Sequence, residues 1–227
     1  MQSSYDLLYV LKQMGYLQTI RDPLWWPNSG TFEVLIGAIL TQQTKWERVE
    51  ESLANLQKSG LLSLDALSST NVEQIAILIR PSGFYNTKAQ RIQLICQNIL
   101  NVFVSFEAFQ DKVTRTWLLD QKGIGMESAD SILCYGCGRE IMVVDSYTQR
   151  LLKALGYTFE DYMQLQEWMQ EGVEANFDKI TQMYDSQITL HTIYAHFHGM
   201  IVEFAKEHMR GKNVDIQILK KYMEKGV

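Results

Sequence analysis

The chain has 227 residues, of which 46% are hydrophobic and 21% charged, a composition typical of an ordinary soluble globular protein. No apolar run reaches the length of a membrane span, and the N-terminus lacks the basic start and apolar core of a secretion signal. We therefore expect a cytoplasmic protein with no membrane partner. Its three cysteines exclude a disulfide framework, and the net charge of −5 argues mildly against nucleic acid, since phosphate binding depends on lysine and arginine.

The predicted elements are helices almost throughout, so the sequence favours an all-α fold. In chain order we expect helices at Tyr5–Met14, Phe32–Thr41, Lys45–Gln57, Val72–Leu78, residues 92–103, Val113–Leu119, Glu127–Tyr135, Tyr147–Leu155, Asp161–Glu171, residues 193–204 and Asp215–Glu224. Pro23, Pro27 and Pro81 fall at breaks between these helices, where proline does least harm. No repeat, low-complexity segment or flexible linker divides the chain.

The segment from Leu118 to Asp145 carries the strongest functional pattern. It is interpreted as a helix ending at Gln121, a tight turn through Gly123 and Gly125, and a second helix. The two glycines suit a sharp reversal with positive φ, and Ile124 can anchor the turn in the core. The start of the second helix offers free N–H groups to a phosphate oxygen. A plain corner between two helices is the alternative interpretation.

Asp145 follows the only strand-like run of the chain, residues 141–144. Because that run is so short, we interpret it as an extended loop that leads into a helix N-cap at Asp145. A carboxylate at a helix N-terminus is held ionised by the helix dipole. An ionised carboxylate can also stabilise the positively charged sugar that forms when a glycosidic bond breaks. The capping role and the catalytic role are compatible.

An aromatic group forms the third pattern. Trp25, Trp26 and Pro27 lie in a loop, and Trp46 opens a following helix. Adjacent indoles cannot both enter one core face, so a stacking pocket is about as well supported as a purely structural role. Indole faces attract a cationic ring by about 0.5–2 kcal/mol per contact. N3-alkylated purines carry such a charge, and normal bases do not.

Other polar residues give weaker signals. Gln42 and Gln43 would ordinarily be solvated, but one of them could fill the gap left by an extruded nucleotide. Cys134 and Cys137 have no second cysteine pair, so neither a zinc site nor an iron–sulfur cluster is expected. His191, His196 and His198 lack the spacing of helical metal ligands and are expected in the core or on the surface.

Basic residues cluster along the chain in several short groups. These are Lys45/Arg48, Lys88/Arg91, Lys122, Arg139 and Arg150/Lys153. We expect most of them on solvated helix faces, although a local basic face could bind DNA despite the acidic total.

Together these motifs resemble the endonuclease III superfamily of DNA glycosylases, which share a helix-hairpin-helix and a following catalytic aspartate. The similarity runs from about Asp22 to His208, through PLWWPNSGTFEVLIGAILTQQTKWERV and the hairpin QKGIGMESADSIL. The chain is most similar to the small bacterial 3-methyladenine DNA glycosylases, whose pocket begins with W-W-P. The resemblance implies two helical lobes with a DNA cleft between them: a six-helix bundle at residues 23–135, and a lobe formed by residues 1–22 and 136–227.

The resemblance also implies roles for individual residues. Asp145 matches the catalytic aspartate. Matches to substrate-binding positions are Trp25, Trp26, Pro27, Trp46 and Lys206. DNA-contacting positions are Gln43, which would fill the duplex gap, with Lys122, Gly123 and Gly125. Main-chain carbonyls of Leu119, Gln121 and Ile124 match a site for a monovalent cation, K⁺ or Na⁺, and no other cofactor is implied.

One departure from the family pattern changes the expected chemistry. Glu127 occupies the position at which bifunctional relatives carry a nucleophilic lysine, and a carboxylate cannot form a Schiff base. We therefore expect a monomeric, monofunctional glycosylase that excises alkylated purines such as 3-methyladenine from duplex DNA, without lyase activity. The alternatives are a glycosylase for another damaged or mismatched base, a non-catalytic helix-hairpin-helix DNA-binding module, and a helical scaffold with no nucleic-acid partner.

Overall fold

A computed structural model describes residues 1–18, 22–184, 187–211 and 213–226 of the chain. Within these ranges the fold is helical apart from one small β-hairpin, which confirms the predicted all-α class.

The helices are, in chain order, α1 (Ser4–Gln13), α2 (Phe32–Leu40), α3 (Trp46–Lys58), α4 (Leu64–Ser69), α5 (Val72–Leu78), α6 (Tyr85–Phe103), α7 (Phe106–Lys112), α8 (Arg115–Leu119), α9 (Met126–Ser131), α10 (Ser146–Ala154), α11 (Tyr162–Glu174), α12 (Phe177–Thr181), α13 (Leu190–His208) and α14 (Gln217–Gly226). A 3₁₀ turn spans Arg80–Ser82, and a π-helical segment spans Ile132–Gly136. Two antiparallel strands, β1 (Met209–Arg210) and β2 (Asn213–Val214), form the β-hairpin.

Two predictions about local structure need correction. The helix before the glycine turn ends at Leu119 rather than Gln121, because the N–H of Gln121 turns back to the carbonyl of Leu118 at 3.0 Å. Residues 141–144 are not the only extended segment, since β1 and β2 pair with each other near the C-terminus. The run at 141–144 is nevertheless a loop that leads into α10, as the sequence predicts.

The chain divides into two compact units. We call Asn28–Gly138 the hairpin unit, and Met1–Pro27 together with Arg139–Val227 the terminal unit. In the terminal unit, α1 packs against α11 and α13, and α13 packs against α10. Its core is a single cluster of buried apolar side chains that includes Leu7, Leu151 and Phe197. Each such side chain contributes roughly 1.5–3 kcal/mol when fully buried.

The hairpin unit is organised around α2 and α6. Every residue of α2 from Val34 to Leu40 is buried. Ile92, Ile95 and Ile99 recur at helical spacing and form the buried face of α6, which packs against α4 and α5. Among the residues described, no single helix is long and apolar enough to cross a membrane. The helices α6 and α7, which meet at a bend of 77°, are together long and apolar enough, by length and composition alone.

A buried lysine ties three segments of the hairpin unit together. The side chain of Lys88 on α6 is only 2% exposed, although most of the basic residues were expected on solvated helix faces. Its Nζ donates to the carbonyl of Leu40 at 2.8 Å, to Oγ1 of Thr44 at 2.7 Å and to the carbonyl of Ser82 at 2.7 Å. Burial, and then the nearby charge of Arg91, lowers the pKa of Lys88 to about 8. Oxygen atoms of α2, the following loop and the 3₁₀ turn therefore replace the water that would hydrate the amine in solution.

An ion pair links the two helices that flank the glycine turn. Nε of Arg115 lies 2.6 Å from Oδ1 of Asp130, and its Nη2 lies 2.9 Å from Oδ2. The Asp130 side chain is fully buried, and that of Arg115 is 24% exposed. Such a two-pronged contact fixes orientation as well as distance, so it holds α8 and α9 in one relative geometry.

Candidate active site

Asp145 occupies the predicted N-cap. Met142, Val143 and Val144 are buried, and this loop leads directly to the start of α10. Oδ1 of Asp145 then accepts hydrogen bonds from the main-chain N–H of Thr148 at 2.8 Å and from its Oγ1 at 2.9 Å. The side chain is 11% exposed. The carboxylate is therefore fixed at a helix N-terminus while part of it stays accessible.

His198 faces the second oxygen of this carboxylate. Its Nε2 lies 3.6 Å from Oδ2 of Asp145, and its side chain is 5% exposed. This distance is too long for a hydrogen bond but is an ion-pair contact when the imidazole is protonated. Burial by itself raises the pKa of Asp145, but His198 and then the hydrogen bonds from Thr148 outweigh it, so the pKa is lowered from its usual value. Asp145 is consequently an anion at neutral pH.

Trp25 packs on the other side of His198. The two ring centroids are 5.4 Å apart, with the planes at 87°. The indole also covers Gly199, where an added Cβ would lie 2.6 Å from Cγ of Trp25. Trp25 has a φ of +74°, a left-handed conformation that is strained for a large residue and that surrounding contacts must hold. Gly199 is therefore required for the indole to lie where it does.

Glu203 and Lys206, in the last turns of α13, complete the surroundings of Trp25. The indole Nε1 donates to Oε1 of Glu203 at 3.0 Å, and Nζ of Lys206 donates to the same oxygen at 2.8 Å. Nζ of Lys206 also lies 5.9 Å from the Trp25 ring centroid. The Lys206 side chain is 48% exposed. Lys206 is thus held beside the indole through the carboxylate of Glu203.

A depression of about 790 Å³ opens in the terminal unit. Trp25 and Pro27 line it, together with Met14, Gly15, Tyr16, Leu17, Gln18, Asp22, Glu203, Glu207, His208, Ile218 and Tyr222. Of the other candidate residues in the described part of this unit, Trp26, Asp145 and Lys206 do not line it. Trp26 is instead 8% exposed, and its ring lies at 86° to that of Trp25, with 6.4 Å between the centroids. One indole is therefore available to a ligand, and the other is mostly core.

The glycine turn in the hairpin unit has the geometry of a sharp reversal. Gly123 has a φ of +83°, and an added Cβ would lie 2.1 Å from Nε of Arg91. Ile124 is 6% exposed, which confirms that it anchors the turn. Gly125 departs from the prediction of positive φ: it is extended, with a φ of −94°, and caps α9. Only Gly123 therefore needs the conformational freedom of glycine.

Gln42 and Gln43 have different environments. Nε2 of Gln42 donates to the carbonyl of Gly123 at 2.9 Å and to Oγ of Ser128 at 3.0 Å, and its Oε1 accepts from Arg91. Gln42 therefore braces the glycine turn. Gln43 is exposed and has a φ of +55°, so its side chain projects from a strained backbone. Strain of this kind is concentrated at functional sites.

The remaining candidates of the hairpin unit lie on or near its surface. Lys122 and Glu127 are exposed, and Trp46, the first residue of α3, is half-buried. The carbonyl of Gln121, a proposed cation ligand, accepts the N–H of Ile124 at 3.1 Å. In the described part of the chain, no three side chains of His, Cys, Asp or Glu are grouped to hold a metal ion.

Sequence reasoning missed two residues around Trp25, His198 and Glu203, and one exposed aromatic residue with an unusual backbone, Phe84. His198 lies in the core, one of the two environments expected for it, but no local pattern connects it to Asp145. Glu203 lies three residues before Lys206, and this spacing on a helix could have predicted their ion pair. Phe84 is 68% exposed with a φ of +45°, an unusual combination for a large aromatic residue. The sequence signal for Phe84 was the preceding glycine, which marks a turn before α6.

Comparison with known proteins agrees with this geometry. The family model described as HhH-GPD superfamily base excision DNA repair protein matches residues 36–175. The chain is 37% identical to a Methanocaldococcus jannaschii protein assigned as a DNA repair glycosylase, MJ1434, over 93% of this chain and 92% of the relative.

Solved structures give the same result. The H. pylori 3-methyladenine DNA glycosylase (MagIII), bound to 1,N6-ethenoadenine, matches with a TM-score of 0.88 and 45% identity, over 92% of this chain and 100% of that one. A non-covalent endonuclease III–DNA complex matches with a TM-score of 0.69 and 17% identity, over 99% and 98%, which shows the fold alone. The chain therefore belongs to the HhH-GPD superfamily of base excision DNA repair proteins, and it is a DNA glycosylase.

Proposed function

We propose that this glycosylase is monofunctional and excises alkylated purines such as 3-methyladenine from duplex DNA. The observation that carries the proposal is the row of contacts in which His198 joins the Asp145 anion to the Trp25 indole. Trp25 in turn lines a depression of about 790 Å³, within the range of roughly 300–1,000 Å³ usual for small-molecule sites. The name of the H. pylori relative supports the same substrate.

The chemistry needs little from the protein beyond this arrangement. A cationic 3-methyladenine is already a good leaving group, so no strong general acid is required. As the glycosidic bond breaks, its electrons leave with the base and the sugar becomes positively charged. Asp145 stabilises this oxocarbenium-like transition state or orients the water that adds to the sugar. The products are the free base and an abasic site.

Selection of the substrate would rest on the indoles. The electron-rich faces of Trp25 and Trp46 attract a purine that carries a positive charge and attract a normal base less. Trp26, Pro27 and Lys206 would support the Trp25 indole, Lys206 through its contacts with Glu203 and the Trp25 ring.

The proposed absence of lyase activity rests on Glu127. This exposed residue on the first turn of α9 stands where bifunctional relatives carry a lysine. A Schiff base with the sugar requires an amine, and a carboxylate cannot supply one. The DNA strand would therefore stay intact after the base has left.

The hairpin unit would bind the DNA backbone without reading its sequence. Gly123 makes the turn, Gly125, beside which no atom lies within 4 Å of an added Cβ, lets main-chain groups approach a phosphate, and the exposed Lys122 adds a positive charge. Gln43, on its strained and exposed backbone, is suited to fill the gap left by the flipped nucleotide.

We also propose a monovalent cation at the same turn. The last carbonyls of a helix have no helical N–H to accept, and α8 ends at Leu119. The carbonyls of Leu119, Gln121 and Ile124 would hold K⁺ or Na⁺, which would supply positive charge beside a phosphate.

The deciding experiment is to incubate the protein with methylated duplex DNA and to identify the released bases by mass spectrometry. We expect free 3-methyladenine and an abasic strand that stays uncleaved until alkali is added. Release of only oxidised or mismatched bases from matching oligonucleotides would replace the proposed substrate. DNA binding without release of any base would instead indicate a non-catalytic module.

A further inference from the structure

We propose that His198 is a positioning residue for catalysis: its imidazole fixes the free oxygen of Asp145 and the ring of Trp25 in one arrangement. The inference rests on the proposed function, because it assigns His198 a role within that reaction. His198 itself contacts the carboxylate and the indole, and we do not place it on the substrate.

The two oxygens of Asp145 have different tasks. Oδ1 accepts both hydrogen bonds from Thr148 and is thereby committed to capping α10. Oδ2 faces Nε2 of His198 at 3.6 Å. Oδ2 is therefore the oxygen available to a developing positive charge on the sugar, and the imidazole determines where it points.

His198 is buried and packed in a way that fixes its position. It is 4% exposed on α13, a helix whose other buried residues are mainly apolar. The Trp25 ring packs against it at 5.4 Å and also covers the adjacent Gly199. A polar ring in such a core costs free energy unless it makes compensating interactions, and a carboxylate is one. One short stretch of α13 thus positions both the acid and the stacking surface.

The electrostatic contribution of His198 also has a definite sign. Of the described residues, His198 from α13 and Thr148 from α10 itself are the ones that act on the charge of Asp145. Burial opposes them and raises the pKa of the carboxyl. Without His198, the pKa of Asp145 would rise, and the carboxylate would be protonated at a higher pH than in the wild type.

The test compares two substitutions at this position in the full-length protein. His198→Phe keeps a ring against Trp25 but removes the nitrogen, and His198→Gln keeps a donor that can reach Oδ2. His191→Phe, in the first turn of the same helix, is the matched control. Single-turnover excision of 3-methyladenine, the DNA concentration at half-saturation and the melting temperature are measured for each, with the excision rate followed from acid to neutral pH.

We expect His198→Phe to lower the maximal single-turnover rate on the order of tenfold to a hundredfold, with half-saturation unchanged. In His198→Phe, the pH below which the excision rate falls should be higher than in the wild type. His198→Gln should recover part of the rate. A His198→Phe rate equal to that of the wild type would overturn the proposal. So would equal losses in both variants accompanied by a lower melting temperature, because that result describes a structural role. A wild type that releases no base would instead overturn the proposed function.

Discussion

Oδ1 of Asp145 accepts the main-chain N–H of Thr148 at 2.8 Å, so the candidate catalytic residue is also the N-cap of α10. This double role determines how the residue has to be tested. Asparagine caps a helix about as well as aspartate does, whereas alanine costs roughly 0.5–2 kcal/mol of stability. Asparagine therefore separates loss of the charge from loss of the cap.

We expect Asp145→Asn to lower single-turnover excision at least ~100-fold, because the transition state loses its anion, while DNA affinity and melting temperature stay close to the wild type. The matched control is Asp161→Asn. Asp161 caps α11 in the same unit through the N–H of Gln164 at 2.9 Å. An unchanged rate in Asp145→Asn would remove this carboxylate from the mechanism.

Trp46 allows a test of charge-dependent stacking. Trp46→Leu keeps an apolar side chain but removes the π-face, so we expect weaker binding of cationic 3-methyladenine by about 2- to 30-fold, equivalent to about 0.5–2 kcal/mol. The control is a neutral lesion such as 1,N6-ethenoadenine in the same oligonucleotide. Half-saturation is measured by titrating the enzyme in single-turnover reactions. Equal losses on the charged and neutral lesions would contradict the role of the indole quadrupole.

Glu127 predicts the result of a trapping experiment. Borohydride reduces a Schiff base to a stable protein–DNA adduct, and a carboxylate forms no such base. We therefore expect the wild type to give no adduct with DNA that contains an abasic site, under conditions in which a bifunctional endonuclease III does. A stable adduct on denaturing gels would reveal an amine nucleophile elsewhere in the chain.

The two neighbouring glutamines should separate stability from DNA chemistry. Gln42→Ala removes the hydrogen bonds to Gly123 and Ser128, so it should lower the free energy of unfolding by about 1–2 kcal/mol. Gln43→Ala leaves those bonds in place and should slow excision with little change in stability, because Gln43 is exposed. Chemical denaturation and single-turnover kinetics on both variants check this. A large loss of stability in Gln43→Ala would show that its side chain has a structural role.

Lys88 predicts a pH-dependent stability. Its pKa falls from the ordinary 10.5 to about 8 in the folded state. Between these values the unfolded chain binds a proton that the folded chain does not, so the stability contributed by Lys88 rises with pH. Below about 8 the amine is charged in both states and this gain is absent.

The measurement compares wild type with Lys88→Met by urea denaturation. Lys88→Met leaves buried carbonyls without a donor, so we expect a loss of roughly 2–4 kcal/mol at neutral pH. This difference in the free energy of unfolding between wild type and Lys88→Met should increase by on the order of 1–3 kcal/mol towards pH 10. Lys58→Met, at the exposed end of α3, is the control and should show neither effect. A difference in unfolding free energy that decreases as the pH rises would mean that the folded state favours the charged amine.

The longer helices could be predicted because their burial is periodic. Ile92, Ile95 and Ile99 form the core face of α6, and residues 193–204 do the same in α13. The short helices α4, α7 and α12 were missed, since each carries only two or three apolar residues, whereas the seven-residue α5 carries five and was predicted. Capping residues were the usable signal for two of them: Ser63 and Ser105 accept the N–H groups of Ala66 and Ala108.

The candidate site was predictable only where its signal is local. The glycine turn, the tryptophan loop and Asp145 are short motifs, and the resemblance assigned them directly. His198 and Glu203 depend on how α13 packs, which no spacing near Asp145 or Trp25 encodes. Lys88 was expected in solvent because its oxygen partners come from three segments that only folding brings together. The monomeric state and the cytoplasmic location stay predictions.

The ion pair between Arg115 and Asp130 affects how the enzyme would search a genome. Almost every encounter with DNA is with undamaged sequence, and each must be brief for scanning to be efficient. A hairpin that is already braced loses little conformational entropy on contact and has no rearrangement to reverse on release. In the proposed binding mode, the bidentate geometry, at 2.6 and 2.9 Å, would favour brief contacts with phosphates along the duplex.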